Sequence, residues 1–227
     1  MTLGTVLVTG GSAGLGAATV AAITAAGGRP VVLDRQPPPS DTDFELVDLA
    51  DARAAEVATC ALADRVGGLD GVFTAAGVDR CGVLADVPGD EWDWVIKVNL
   101  LGTAAVVRAA LPYLLRSHGR VVTCASTLGL RAVSDATAYC ASKFGVVGFT
   151  RALATETQGT IGVTMLVPGG MHTSFFDDRE EKYRPPADAK LNRPEDVAQA
   201  VVFALSQPPG CEVRELVVTP SRESSWP

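Results

Sequence analysis

The chain has 227 residues, of which 47% are hydrophobic and 20% are charged. This composition predicts a chain that folds throughout around a buried core, and the length suits a single domain over residues 1–227. The net charge is −7 and none of the 19 basic residues form a run, which argues against a nucleic acid or an anionic membrane surface as a partner.

The cysteines also limit the possible classes. Their number is odd, they form no CxxC pair, and no histidine stands at ligand spacing, so neither a disulfide framework nor a metal site is expected. The first residues, MTLGTVLVTGG, carry no basic segment and lead directly into an apolar strand, so we expect no signal peptide and no membrane span. We predict reduced thiols and a cytoplasmic protein. The cysteines are Cys60, Cys81, Cys124, Cys140 and Cys211.

Short β-branched runs alternate along the chain with longer Ala-rich amphipathic stretches. This alternation predicts repeated βαβ units and an α/β fold: a doubly wound, parallel seven-stranded sheet with helices on both faces. The predicted strands are residues 4–9, 29–34, 44–49, 69–75, 119–126, 161–167 and 213–219. The predicted helices are residues 14–26, 51–66, 90–117, 138–157 and 194–206.

A glycine turn, TGGSAGLG at residues 9–16, joins the first strand to the first helix. Gly10, Gly14 and Gly16 allow a tight turn and let backbone N–H groups and the positive end of the helix approach an anionic pyrophosphate. Glycine clusters occur in many turns, but this one lies between a strand and a helix. We therefore predict a dinucleotide-binding turn.

The second strand ends in an acid, Asp34, about 20 residues beyond the glycine turn, where a carboxylate can accept hydrogen bonds from an adenosine ribose diol. A 2′-phosphate would be repelled there, and Ala13 leaves the turn without a basic residue to bind it. The sequence therefore favours NAD over NADP, although the neighbouring Arg35 keeps NADP open. The alternative is that Asp34 merely caps the next turn.

The stretch YCASK places Tyr139 and Lys143 at positions i and i+4, on one face of a predicted helix. Both side chains can therefore reach one cavity. A free phenol has a pKa of about 10, too high for an efficient base near neutrality. The Lys143 cation and an oxidised nicotinamide would favour the phenolate against desolvation, so we predict a pKa of Tyr139 well below its usual value.

These motifs, in this order and spacing, resemble the short-chain dehydrogenase/reductase family over nearly the full chain. TGGSAGLG is similar to its T-G-x-x-x-G-x-G, YCASK to its Y-x-x-x-K, and Ser126 and Asn99 stand where the family has its serine and asparagine. The resemblance implies a Rossmann fold and the catalytic set Asn99, Ser126, Tyr139 and Lys143. It also implies a homo-oligomer, a tetramer in most members, with a dimer possible.

The resemblance further implies which residues contact the cofactor. Asp48 looks like the acid beside the adenine, and PGGMHT (168–173) looks like the Pro-Gly segment near the nicotinamide. The predicted cofactor-binding residues are Gly10, Ser12, Ala13, Gly14, Leu15, Gly16, Asp34, Arg35, Asp48, Leu49, Ala75, Ala76, Gly77, Asn99, Tyr139, Lys143, Pro168, Gly169, Met171 and Thr173.

Two segments depart from the family pattern. Thr74-Ala75-Ala76-Gly77 replaces N-N-A-G or N-A-A-G, and we expect the Thr74 hydroxyl to substitute for the missing amide. The tail VTPSRESSWP replaces a glycine-rich ending, and whether it packs against its own site or a neighbouring subunit stays open.

The irregular segment 171–192 interrupts the α/β rhythm and is predicted to be a substrate-binding loop or lid, with a disordered surface excursion as the alternative. Phe175, Phe176 and Tyr183 indicate an apolar or ring-bearing substrate. The charged run from Asp177 to Lys182 is interpreted as solvated surface. His172 lacks an evident acid partner and is not expected to be a general base.

The sequence therefore predicts an NAD-dependent oxidoreductase that interconverts a secondary alcohol and a ketone, a small-molecule substrate, with Tyr139 as general acid and base. Three alternatives remain: an NADPH-dependent carbonyl reductase, a nucleotide-binding sensor that lost the reaction, and an epimerase or dehydratase with tightly held NAD. The identity of the substrate is left open.

Overall fold

Seven parallel strands form one sheet in the order β3-β2-β1-β4-β5-β6-β7. The computed structural model describes residues 3–39, 41–223 and 225. The strands are β1 Thr5–Thr9, β2 Arg29–Asp34, β3 Phe44–Leu46, β4 Gly71–Thr74, β5 Arg120–Cys124, β6 Gly162–Pro168 and β7 Glu215–Val218.

Helices cover both faces of this sheet, because successive strand residues point to opposite sides. Leu7 packs in a core cluster with side chains of α2, α4 and α5, whereas its neighbours Val6 and Val8 pack in a second cluster with α1 and α6. The prediction of a doubly wound, seven-stranded parallel sheet is confirmed. The helices are α1 Gly14–Ala25, α2 Ala52–Val66, α3 Gly89–Ile96, α4 Thr103–Ser117, α5 Thr137–Glu156 and α6 Pro194–Leu205.

The order of the strands determines where a ligand can bind. After β1 the chain continues to β2 on one side, and it later returns to place β4 on the other side of β1. The loops after β1 and β4 therefore diverge and leave a crevice at the carboxyl ends of the strands.

Most predicted strands and helices agree with the structure to within two residues at each end, and two larger differences lie near the cavity. β3 ends at Leu46 rather than at residue 49, because its pairing with β2 stops there and Asp48 instead accepts a hydrogen bond from Ala50 N at 2.9 Å. The helix predicted over 90–117 is divided by a π-helical segment, Lys97–Gly102. Such segments are frequent at functional sites.

The run Gly89–Ser117 is long and apolar enough to cross a membrane by length and composition, and half of its most apolar window is buried. This is weak evidence for a membrane span, since core helices pass the same criterion. In the described part of the chain, Val106, Ala110 and Leu114 of this run are fully buried in the core.

Candidate active site

A cavity of about 1360 Å³ lies in the crevice at the carboxyl ends of the strands. It exceeds the usual volume of a pocket for one small molecule, roughly 300–1,000 Å³. All but one of the predicted site residues line it: Gly10, Ser12, Ala13, Gly14, Leu15, Gly16, Asp34, Arg35, Asp48, Leu49, Ala75, Ala76, Gly77, Ser126, Tyr139, Lys143, Pro168, Gly169, Met171 and Thr173. The exception is Asn99.

The glycine turn requires glycine for steric reasons. Gly10 adopts φ +67°, and a Cβ on Gly16 would lie 2.0 Å from the Gly10 carbonyl oxygen. No side chain caps the N-terminus of α1, whose N-cap residue is Ala13. The first N–H groups of this helix therefore remain open to an anion, which fits the pyrophosphate of a dinucleotide.

Asp34 lies at the end of β2, where two backbone groups fix its carboxylate. Its Oδ2 accepts a hydrogen bond from Ser12 N at 2.9 Å and its Oδ1 accepts one from Gln36 N at 3.1 Å. Because a carboxylate can accept further bonds, Asp34 can still receive those of a ribose diol. Arg35 is exposed at the same edge of the cavity.

The turn after β4 is held by side chains from neighbouring elements. Ala76 N donates to the Thr9 hydroxyl at 3.1 Å, and Val78 N donates to Asn99 Oδ1 at 2.8 Å. The expectation for Thr74 is wrong: its hydroxyl is buried and has no hydrogen-bond partner among the described residues. Burial on all sides of β4 leaves this hydroxyl without an acceptor, so it does not substitute for an amide.

The predicted reacting groups meet at one wall of the cavity. Helix α5 carries Tyr139 and Lys143, and Ser126 lies in the loop that follows β5. The Ser126 hydroxyl accepts a hydrogen bond from Leu128 N at 3.1 Å, and hydrogen bonding from this hydroxyl is one of the factors that lower the pKa of the Tyr139 phenol. Lys143 Nζ lies 5.6 Å from the centre of the Tyr139 ring and donates to the Cys124 carbonyl at 2.8 Å.

The pKa of Tyr139 moves opposite to the sequence-based expectation. Burial raises this pKa above its ordinary value, and the hydrogen bond from Ser126 opposes the rise only in part. Burial also lowers the pKa of Lys143, whose side chain is almost completely enclosed. Desolvation therefore dominates at both residues in the free protein, because each charged form loses its contact with water.

Asn99 lies behind the cavity wall, 1% exposed, in the π-helical segment. Its Nδ2 donates to the Val78 carbonyl at 2.9 Å and to the Ser142 hydroxyl at 3.0 Å. Together with the bond from Val78 N, these contacts tie the turn after β4 to α5. One lone pair of Asn99 Oδ1 remains available to accept a further hydrogen bond.

The Pro168–Thr173 segment forms the floor of the cavity beside the glycine turn, since a Cβ on Gly14 would lie 3.4 Å from Thr173 Cβ. The described part of the tail packs against this segment. Glu223 accepts a hydrogen bond from Gly170 N at 3.0 Å, and the Ser225 hydroxyl lies 2.7 Å from that of Thr127. The tail therefore contacts its own site; residues 224, 226 and 227 lie outside the described residues.

Sequence reasoning missed two charged residues at the cavity. Arg179 belongs to the run that was interpreted as solvated surface, yet its Nη2 donates to Asp79 Oδ2 at 2.6 Å. The side chain of Asp79 is 2% exposed and that of Arg179 is 17% exposed. The guanidinium also lies over the rings of Phe175 and Phe176, at 5.3 and 4.6 Å from their centres. No local sequence signal could have found this pair.

Two further side chains extend this arrangement. Phe175 contacts the catalytic candidate Tyr139, with ring centres 5.7 Å apart. Cys81 donates from Sγ to Asp79 Oδ2 at 3.1 Å, and burial followed by the Asp79 charge raises the pKa of this thiol to about 12. His172, in contrast, is exposed and does not line the cavity.

The sequence profile of the short chain dehydrogenase family matches residues 4–184. The chain belongs to this family. The match includes the glycine turn, Asp34, Asn99, Ser126, Tyr139 and Lys143, and it ends within the 171–192 segment. The remaining residues, with α6, β7 and the tail, lie beyond it.

Among curated proteins, this short chain dehydrogenase is 38% identical over 156 residues to an uncharacterized oxidoreductase of Staphylococcus aureus, strain MW2. The match covers 68% of this chain and 65% of that relative, so the chain spans about two thirds of its length.

Solved structures share the fold of this short chain dehydrogenase almost completely. Levodione reductase superposes with a TM-score of 0.86 and 25% identity, over 96% of this chain and 97% of that one. An alcohol dehydrogenase of the archaeon Thermococcus sibiricus, complexed with 5-hydroxy-NADP, superposes with a TM-score of 0.84 and 22% identity, over 96% of each chain.

Proposed function

We propose that this protein is an NAD-dependent oxidoreductase that interconverts a secondary alcohol and a ketone. One observation carries the proposal: Tyr139, with Lys143 Nζ 5.6 Å from its ring centre, lines the same cavity as Ser126, the glycine turn and Asp34. A single cavity can therefore hold a dinucleotide and a small alcohol side by side. Membership of an oxidoreductase family supports this interpretation.

NAD would lie with its pyrophosphate on the N-terminus of α1 and its adenosine ribose on Asp34. Thr173 and the Pro168–Gly170 backbone are the candidate contacts of the nicotinamide end. When bound, the cofactor supplies the acceptor for a hydride from the carbinol carbon.

Tyr139 takes the hydroxyl proton of the alcohol as base and returns it to the carbonyl oxygen in the reverse direction. Ser126 holds the substrate oxygen, since a hydroxyl can both donate and accept as charge develops. Lys143 favours the phenolate electrostatically when its amine is protonated. Because burial raises the pKa of Tyr139, oxidation should accelerate as the pH rises above neutrality, and reduction should slow.

Asp34 is the basis for NAD rather than NADP, since a 2′-phosphate beside its carboxylate would be repelled. The NADPH-dependent reductase remains the second candidate. It is favoured by the exposed Arg35 at the cavity edge, and the T. sibiricus neighbour is described with an NADP derivative.

The test is a titration with NAD and with NADP, followed by assays with secondary alcohols and with ketones. We expect NAD to bind at least about tenfold more tightly than NADP, and Asp34→Ala to remove most of that preference. Asp41→Ala, which removes an exposed carboxylate on the same loop, is the matched control and should keep it.

Tyr139→Phe should lower kcat by about 10² to 10⁴-fold and abolish the rise of oxidation with pH. Preference for NADP would identify the reductase instead. Binding without turnover of any alcohol or ketone would favour the sensor, and NAD retained through purification without net turnover would favour the epimerase or dehydratase.

Four further properties are part of the proposal. The partner is a small molecule, neither nucleic acid nor membrane, and the protein acts in the cytoplasm as a homo-oligomer. Segment 171–192 serves as the substrate-binding loop, and its contribution of Phe175 and Arg179 to the cavity beside Tyr139 supports this role.

A further inference from the structure

Asp79 and Arg179 form a buried charge pair between two separate parts of the cavity wall. Asp79 belongs to the turn after β4, and Arg179 belongs to segment 171–192, one hundred residues later. A single bond of 2.6 Å, between Nη2 and Oδ2, joins them. Two charges in contact are expected to share more than one hydrogen bond when each has lost most of its contact with water.

The pair is incompletely satisfied. In the described part of the chain, Asp79 Oδ1 and Arg179 Nε are buried and have no hydrogen-bond partner. One is an acceptor that lacks a donor, and the other is a donor that lacks an acceptor. Buried polar groups are rarely left in this state, and such groups at a ligand cavity point to a missing partner.

The pair lies beside the reacting groups. Phe175 lies between Tyr139 and Arg179. The centre of its ring is 5.7 Å from the centre of the Tyr139 ring and 5.3 Å from the guanidinium carbon of Arg179. The charges also act on Tyr139 directly: Asp79 raises the pKa of its phenol and Arg179 lowers it. Tyr139 and the pair therefore line the same cavity, and Phe175 contacts both Tyr139 and Arg179.

We propose that Asp79 and Arg179 recognise a second hydroxyl group of the substrate, so that the enzyme acts on neutral diols and their hydroxyketones. The proposal rests on the alcohol oxidation proposed above. A hydroxyl donates one bond and accepts another, and so satisfies Asp79 Oδ1 and Arg179 Nε together.

Other substituents fit this pair less well. A carboxylate would be repelled by the negative charge of Asp79, and an ammonium group would be repelled by the positive charge of Arg179. A simple alcohol leaves both buried atoms unpaired, and sites built to hydrogen-bond a substrate hydroxyl discriminate strongly against analogues that lack it. Phe175 and Phe176 would contact the carbon skeleton.

The test compares kcat/KM for cyclohexanol, cyclohexane-1,2-diol and cyclohexane-1,3-diol, together with an amino and a carboxylate analogue. We expect at least one diol to exceed cyclohexanol and both charged analogues by about tenfold to hundredfold. In Asp79→Asn and in Arg179→Gln the ratio of diol to cyclohexanol should fall toward one. The double variant that combines the two substitutions has no unpaired charge at this position, and its ratio of diol to cyclohexanol should also fall toward one.

Arg193→Gln is the matched control, because it removes an exposed cation outside the cavity whose partner is Glu195. It should keep the diol preference. Thermal unfolding and NAD titration verify that each variant is folded. If a variant does not fold, the order of kcat/KM for the five compounds with the wild-type protein still tests the proposal.

Equal rates for diols and cyclohexanol, or a preference that survives in the double variant, would overturn the inference and leave the proposed function standing. Failure to oxidise any of the alcohols, with no reduction of cyclohexanone or 2-hydroxycyclohexanone, would overturn both.

Discussion

Thr74 and Thr123 lie opposite each other on the paired strands β4 and β5, and both are buried. Only Thr123 has a partner, the Thr150 hydroxyl at 2.7 Å, which in turn donates to the Val146 carbonyl. The hydroxyl of Thr74 has no partner among the described residues. Two chemically identical side chains at one level of the sheet therefore contribute differently to stability.

We predict that Thr74→Val leaves the free energy of unfolding unchanged or raises it by up to about 1 kcal/mol, because a desolvated hydroxyl is replaced by a methyl group of similar shape. Thr123→Val is the matched control and should lower it by about 1–2 kcal/mol, because the buried hydrogen bond between Thr123 and Thr150 is lost. Denaturant unfolding measures both. A loss at Thr74 as large as that at Thr123 would mean that its hydroxyl is satisfied in solution.

Tyr139 shows why a sequence motif does not determine the pKa of a side chain within it. The spacing YCASK places a cation near the phenol, as the sequence predicts, but the degree of burial decides which effect dominates. Desolvation of the phenol depends on all the elements that surround the ring, and the five residues of the motif do not specify those elements.

At the scale of elements, the π-helical segment 97–102 connects the cofactor side of the sheet to α5. It brings Asn99 to the backbone of Val78 and ends at Gly102, which packs on Leu49. A Cβ on Gly102 would lie 2.8 Å from both Cβ and the carbonyl oxygen of Leu49. This contact explains why glycine stands there although it is a poor helix former.

We predict that Gly102→Ala lowers the free energy of unfolding by about 1–3 kcal/mol, because backbone atoms of Leu49 must move. Gly148→Ala in α5 is the control, since no atom lies within 4 Å of its added Cβ, and it should raise the free energy by about 0.5–1 kcal/mol. Unfolding in urea distinguishes the two. Equal effects of the two substitutions would contradict the close approach at Leu49.

At the scale of the whole molecule, apolar side chains remain exposed on elements that pack against each other. Leu101 is 47% exposed in the π-helical segment and Phe144 is 45% exposed in α5. These residues lie within the two long helices that the sequence predicts over residues 90–117 and 138–157. In a homo-oligomer, exposed apolar side chains of this kind are expected to be buried against a second copy of the chain.

We predict that Phe144→Asp shifts the protein from an oligomer to smaller species, because a carboxylate buried at an apolar interface would be desolvated without a partner. Val57→Asp, on the 70%-exposed position of α2, is the control and should leave the oligomer intact. Sedimentation velocity measures the mass. A monomeric wild-type protein, or an oligomer insensitive to Phe144→Asp, would contradict the proposal.

Most of the fold and most residues of the site could be predicted from local patterns in the sequence. Strands of β-branched residues and amphipathic helices are local patterns, and the order in which they alternate leaves few topologies. The glycine turn, Asp34 and the Tyr139–Lys143 pair are local as well, and each lies at the end of a predicted element. Their convergence on one cavity follows from parallel strands, which end at a common edge.

Features that depend on contacts between distant residues could not be predicted in this way and became visible in the folded chain. Asp79 and Arg179 are one hundred positions apart, and the tail reaches Gly170 from Glu223. A run of charges near Arg179 resembles solvated surface until the fold brings an aspartate and two aromatic rings to it. Burial, and with it the direction of each pKa shift, is a property of the assembled core, which no local pattern specifies.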